Sequence, residues 1–260
     1  MTPNSLNLSE TEAHEALRVV DEERGVTSSK ITELERFRRK VQGMDVSDRS
    51  RPTEPQFSGG DVETVSSGRS RVCCGEVVDA FEQTLGTCED TRLELTMCGE
   101  LGGEVASTVL NDESSKLTPE LKRAIMDSVD ERRSQLRVLE EALEKEEVSV
   151  RKAVELLGSI EESLVSEASL ISLGFDELRQ RHGSLIYLRE DCEDRIQERQ
   201  KTLSETTKEG ATSGLRQMSL VEYLYEGLRV DHPVLSALTE AVQACEKNEM
   251  EVRKHICKVV

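Results

Sequence analysis

The stretch 118–207 constrains this chain more than any other, because an apolar residue returns there at every seventh position. Val129, Leu136, Leu143, Val150, Leu157, Leu164 and Ile171 form the row, and Leu139, Ala153 and Ile160 fill three of the d-type positions between them. Such a repeat, with charges between its members, winds a helix whose narrow stripe has to be covered by another helix. The start is marked by Thr118 as N-cap, Pro119 at the first helical position and Glu120 in the first turn, each favoured at the positive end of a helix. The row stops at Ser172-Leu173-Gly174, and a second one follows through Phe175, Leu178, Leu185, Cys192, Ile196 and Leu203. A short break containing Gly between two such rows predicts an antiparallel return. The expectation is therefore an all-α chain organised on a long coiled-coil hairpin over 118–207, the seam closed by the chain's own second arm.

The rest of the composition agrees with thin helical packing. Apolar residues make up 36%, charged residues 33% and aromatics 3%, with no Trp, so any core is built from Leu, Val, Ile and Ala. At 260 residues the chain is long enough to bury one. No run approaches the eighteen apolar residues of a membrane span, and Met1-Thr2-Pro3-Asn4-Ser5 has neither a basic nor an apolar leader region. The expected location is the cytoplasm. Seven cysteines (73, 74, 88, 98, 192, 245, 257) then read as reduced thiols, several acting as small hydrophobes in helix stripes.

Taken in order, residues 1–44 predict one long helix. Ser9 and Glu12 have capping-box spacing, and Leu17, Val20, Ile31, Leu34, Phe37, Val41 and Met44 line one side, with a weak point at Gly25-Val26-Thr27. Arg36, Arg38, Arg39 and Lys40 cluster near its end, where cations complement the helix dipole and pair with acids; a small anion or phosphate contact is the functional alternative. Residues 45–70, with Pro52, Pro55, Gly59, Gly60 and Gly68 among serines, read as a flexible linker. A helical domain over 71–260 follows. Its first part, 71–111, predicts two short helices: one through Val77, Val78, Phe81 and Leu85 stopping at Gly86, and one capped by Thr87 and running through Leu93, Met97, Leu101, Val105 and Val109. Gly99, Gly102 and Gly103 point to close packing or a local break, since no strand precedes them and no Lys-Ser/Thr follows as a phosphate loop needs. Beyond a polar turn at Lys208–Gly214, the part 219–260 predicts a short helix opened by Ser219 and Glu222, and a last helix starting at Pro233. Tyr223 and Tyr225 are expected to seat this end against the hairpin with their hydroxyls reaching the surface.

A formal net charge of −18 disfavours sequence-independent binding of nucleic acid. The acids number 52, against 23 Arg and only 11 Lys. That balance suits a protein working in concentrated salt, where charge repulsion is screened within a few ångströms; it suits an ordinary acidic coiled coil equally.

Two blocks carry a family resemblance. One is Glu100-Leu101-Gly102-Gly103-Glu104-Val105-Ala106 followed by Leu117-Thr118-Pro119-Glu120-Leu121-Lys122-Arg123-Ala124; the other is Glu222-Tyr223-Leu224-Tyr225, then Leu228 and Pro233-Val234-Leu235. In this order they resemble a haloarchaeal family of unknown function, helical and coiled-coil-like, over most of the chain apart from 45–70. The resemblance implies a salt-adapted archaeal cytoplasm and brings no catalytic residue or cofactor with it.

Candidate chemistries are few. His14, His182, His232 and His255 are scattered, and neither His182 nor His255 has the Glu three residues earlier that a di-iron bundle uses. Glu251 and His255 read as a surface pair, and His182 and Arg189 as polar residues setting the register of the second arm. Cys73-Cys74 lacks a second half at zinc spacing, and no nucleophile elbow or nucleotide fingerprint occurs. No catalytic, cofactor-binding or metal residue is therefore nominated. The expected function is a non-enzymatic helical scaffold or interaction protein acting through a protein partner or self-association, without cofactor, membrane or identifiable small-molecule substrate. The alternative is an accessory regulator, ligand-sensing or DNA-associated, acting through the unit 72–111.

Overall fold

A computed structural model of the chain describes residues 11–46, 72–86, 93–111, 113–164, 170–204 and 217–259. Among them are eight helices and no strand: α1 (Glu12–Gly43), α2 (Cys74–Leu85), α3 (Leu93–Leu101), α4 (Gly103–Asn111), α5 (Pro119–Ser163), α6 (Phe175–Ser204), α7 (Gln217–Tyr225) and α8 (Pro233–Val259). The fold is all-α. The expected linker falls almost wholly outside the described residues, as do Ser9, Thr87 and the turn Lys208–Gly214. The chain packs as two units, Met1–Thr27 with Val138–Val260, and Ser28–Arg137. These bounds lie inside α1 and α5, and not in the 45–70 segment.

Helix ends follow local chemistry. Thr118 Oγ1 accepts from Leu121 N–H at 3.2 Å, so the cap at the start of α5 is as expected. α1 begins at Glu12, and Thr11 stands at the cap position, its carbonyl accepting from His14 N–H at 2.9 Å. Gly25 does not interrupt α1, although the boundary between the units comes two residues later. α7 begins at Gln217, which puts Ser219 within the helix and not at its cap. Gly86 ends α2, where a Cβ would come 2.8 Å from Glu82 Cα. The second helix expected in 71–111 is two helices, because Gly102 takes φ +83 and donates to Cys98 O at 3.0 Å, closing α3 while α4 starts on the next residue. α2 has no side-chain cap. Its first N–H groups go instead to carbonyls of the segment before α5, Cys74 N to Ser115 O at 2.9 Å and Gly75 N to Glu113 O at 2.8 Å.

In the unit Ser28–Arg137, α1 runs antiparallel to α5. Lys122 Nζ donates to the carbonyls of Gln42 (2.8 Å) and Met44 (2.7 Å), which ties off the negative end of α1. Arg38 makes a two-pronged pair with Asp130 at 2.8 and 3.0 Å, and Arg133 reaches Glu35. The core below contains Leu34, Phe37, Val41, Val77, Phe81, Met97 and Val129. Phe37 and Phe81 meet edge to face with ring centres 5.4 Å apart, a contact worth about 0.5–1.5 kcal/mol beyond area burial.

In the other unit, α1 again lies against α5, through Arg24–Glu147 and Arg151–Asp21. α6 runs antiparallel to α5 as well: Arg181 Nη2 donates to Ser163 O at 2.9 Å, while Arg199 lies by Glu146. α8 packs antiparallel on α6, where Arg189 pairs with Glu249 at 3.0 Å and His182 lies 3.4 Å from Arg253. Leu143, Val150, Leu157 and Ile160 are buried in one cluster with Ala16 and Val20 of α1, Cys192 and Leu203 of α6, and Val234, Leu238 and Cys245 of α8.

These contacts correct the expected seam in two ways. The seven-residue row is covered by α1 as well as by α6, so the second arm does not close it alone. The row also ends with its helix at Ser163. Leu164 is only half-buried, Phe175 is exposed, and Ile171, which lies in a turn beyond the helix, is 73% exposed.

Candidate functional site

Along α5 the d-type positions 125, 139, 153 and 160 are apolar, while 132 and 146 are Arg and Glu. A charge placed in an apolar stripe needs a partner brought to it. For Glu146 the partners come from α6 and α7. Arg199 donates to both carboxylate oxygens, Nη2 to Oε1 at 2.6 Å and Nη1 to Oε2 at 2.7 Å. Tyr225 O–H donates to Oε1 at 2.6 Å, and Gln217 Nε2 donates to Oε2 at 3.1 Å and to Ala142 O at 3.3 Å. Arg199 Nη1 also reaches Ser149 Oγ at 3.3 Å. Glu146 is 0% and Arg199 3% exposed, so a paired charge sits within the hydrophobic cluster.

The electrostatics fix the protonation of the donors. Burial, reinforced by the neighbouring Glu146 charge, pushes the Tyr225 hydroxyl far above its ordinary range. Burial works against the Arg199 charge, but its hydrogen bond and its charge attraction to Glu146, together with Tyr225, outweigh this and raise its pKa. Both donors therefore hold their protons, and the carboxylate has four donors on two oxygens. This arrangement fastens three helices together, with Tyr225 and Arg199 both protonated near neutral pH.

Tyr225 is a correction to the sequence reading, which sent its hydroxyl to the surface. Tyr223 is the exposed one and Tyr225 is buried. Two residues apart on a helix, they point about 200° from each other, so they cannot share a face. His255, expected in a surface pair with Glu251, is buried, and Glu251 is held by Lys254 at 2.7 Å. Arg189 bonds Glu249 and also Glu193, the latter at 2.6 Å. Arg38 is engaged by Asp130 and Lys40 by Gln83 at 2.7 Å, so these two members of the basic cluster near the end of α1 have protein partners. Among the described residues no three His, Cys, Asp or Glu side chains come together to hold a metal ion, and no helix is long and apolar enough to cross a membrane.

Beside the Glu146 cluster a groove of about 580 Å³ opens between α5 and α6 and reaches the start of α8. Ala153, Val234 and Leu238 form its apolar base, and Val148 stands exposed at its side. Lys145, Lys152 and Arg195 are among the charged residues lining it, and Ser149 and Arg199 join it to the buried cluster.

Residues 11–249 match the family described as Domain of unknown function (DUF7260). The chain belongs to that family. The match takes in both blocks that carry the resemblance, and every helix from α1 to α7 lies within it. No curated protein and no solved structure matches the chain.

Proposed function

We propose that this chain is a helical interaction protein without a catalytic activity of its own, working through a protein partner or a second copy in a salt-rich cytoplasm. The observation that carries the reading is the saturation of the Glu146 cluster. Active sites keep a nucleophile, base or acid available to a substrate, whereas here the carboxylate is covered by Arg199, Tyr225 and Gln217, all supplied by the protein. The charged groups at the surface support the second half of the reading. Self-repulsion at a net charge of −18 is relieved as ionic strength rises.

The test is chemical cross-linking of the full chain in an extract of its source cells, at low and at molar KCl, read by mass spectrometry. The expected result is a reproducible set of cross-links to one partner, or between copies, with the melting temperature rising as KCl is added. A chain that stays monomeric and uncross-linked in both conditions contradicts the interaction reading. A melting temperature indifferent to KCl contradicts the salt-rich setting.

A further inference from the structure

We propose that the hollow between the last turns of α1 and the last turn of α2 binds the phosphoryl group of a small, soluble phosphate monoester. This goes beyond the interaction reading and does not depend on it.

The hollow, about 370 Å³, is lined by Arg36, Arg39 and Lys40 of α1 and by Gln83 and Thr84 of α2. Three cations line it and no carboxylate does, in a chain whose formal net charge is −18. Cations near the end of a helix ordinarily serve its carbonyl end or pair with acids. Here other residues fill those roles. Lys122 takes the carbonyls of Gln42 and Met44 at 2.8 and 2.7 Å, and Arg38 takes Asp130. Arg133 holds Glu35, and Ser29 bonds Glu33 at 2.8 Å.

The cations of the hollow have neutral partners or none among the described residues. Arg39 Nε donates to Glu35 O at 3.3 Å, a bond within its own helix, and Lys40 Nζ donates to Gln83 Oε1 at 2.7 Å. Arg36 makes neither ion pair nor hydrogen bond there. Asp79 and Glu82 of α2 are exposed, lie outside the lining, and form no ion pair with these cations. The carbonyl end of α2 carries about half a negative charge, which three positive charges exceed.

The spare donors select the ligand's head. They are the Arg36 guanidinium, the terminal amino groups of Arg39, the remaining N–H groups of Lys40 and the Gln83 amide. Thr84 gives its hydroxyl to Ala80 O at 2.8 Å and so adds no donor. Guanidinium groups meet phosphate oxygens two at a time, and three clustered positive charges attract a dianion more strongly than a monoanion. No aliphatic or aromatic side chain lines the hollow, so recognition falls on the phosphoryl group and not on an apolar body.

The test uses the full chain at about 0.1 M KCl, where exposed charges are felt over about 10 Å, and at a pH above the second phosphate pKa of about 6. Glycerol phosphate, dimethyl phosphate and acetate are titrated by calorimetry and by NMR shifts of the arginine Nε–H groups. Glycerol phosphate is expected to bind at one site, about tenfold or more tighter than the two monoanions. Arg36→Gln and Arg39→Gln should each weaken it by roughly tenfold, while Arg179→Gln on α6 changes it by less than about twofold. All three positions are exposed, and unchanged melting curves establish that the variants fold. Equal binding of glycerol phosphate and the monoanions, binding untouched by both Arg36→Gln and Arg39→Gln, or no saturable binding would each overturn the proposal. So would binding to phosphatidic acid in phosphatidylcholine vesicles without binding to the free ester.

Discussion

Each unit of this protein holds a buried glutamate against an arginine, and the two pairs are built differently. Glu146 and Arg199 are 0% and 3% exposed, with Tyr225 and Gln217 completing the carboxylate's shell. Glu100 is 5% exposed, but its partners are Arg132 at 30% and Lys30 at 40%. One pair is dry on both sides; the other turns its cations toward water. Coulomb attraction strengthens as the local dielectric falls, and so does the cost of leaving one member alone. The same long helix, α5, thus carries a locking charge in one unit and a mild one in the other.

The largest expected effect is at the dry pair. Arg199→Ala leaves the Glu146 charge without its main partner and should cost about 3–5 kcal/mol, measured by urea denaturation with the midpoint and slope both reported. Glu100→Gln removes a charge whose partners remain solvated, and should cost about 1 kcal/mol or less. Losses of equal size would erase the distinction between the pairs.

Next comes the apolar row beneath both pairs. Leu143→Ala and Leu157→Ala should each cost about 2–5 kcal/mol, since both side chains are fully buried, whereas Lys145→Ala should stay within about 0.5 kcal/mol. Because the row is shared with α1, Leu143→Ala should also speed amide exchange in 13–20 of α1. Exchange confined to α5 and α6 would restore the simple hairpin.

The smallest effect is also the most selective, because the two units differ in how they meet pH. Burial tends to raise the Glu100 carboxyl, but hydrogen bonds from Lys30 and Arg132 win and hold it below its ordinary 4.5. A depressed carboxylate contributes stability that is fully present above the unfolded value, so it is lost as pH falls from 4.5 through the lower folded value. On the alkaline side burial pushes the Cys192 thiol up to about 12 and the Cys245 thiol up to about 11, from 9.0. Raised thiols contribute stability below pH 9 that is lost as pH climbs through those values. Stability measured from pH 3 to pH 11 should therefore show an acid limb flattened by Glu100→Gln and an alkaline limb flattened by Cys192→Val. An acid limb unchanged in Glu100→Gln would contradict the assignment.

Much of this was legible in the residues. Thr118-Pro119 announced α5, the apolar row announced its buried stripe, and Gly86 announced the end of α2. What an apolar stripe cannot announce is which helix covers it. Contacts such as Arg38 with Asp130 or Arg24 with Glu147 join residues about a hundred positions apart or more, and spacing along one helix holds no trace of them. The buried site was half-legible. Positions 132 and 146 are the charged gaps among the d-type positions of α5, and Arg199 is the charged member of the row Leu178, Leu185, Cys192 on α6. Read as interruptions, they mark where partners are required. Tyr225 was misplaced because Tyr223 was assigned the same face.

The measurement that tests the account most directly is a pair of double-mutant cycles by urea denaturation, Glu146→Ala with Arg199→Ala, and Glu100→Ala with Arg132→Ala. The account predicts a coupling of about 2 kcal/mol or more for the dry pair and under about 1 kcal/mol for the wet one. A Glu146–Arg199 coupling no larger than that of Glu100–Arg132 would contradict it.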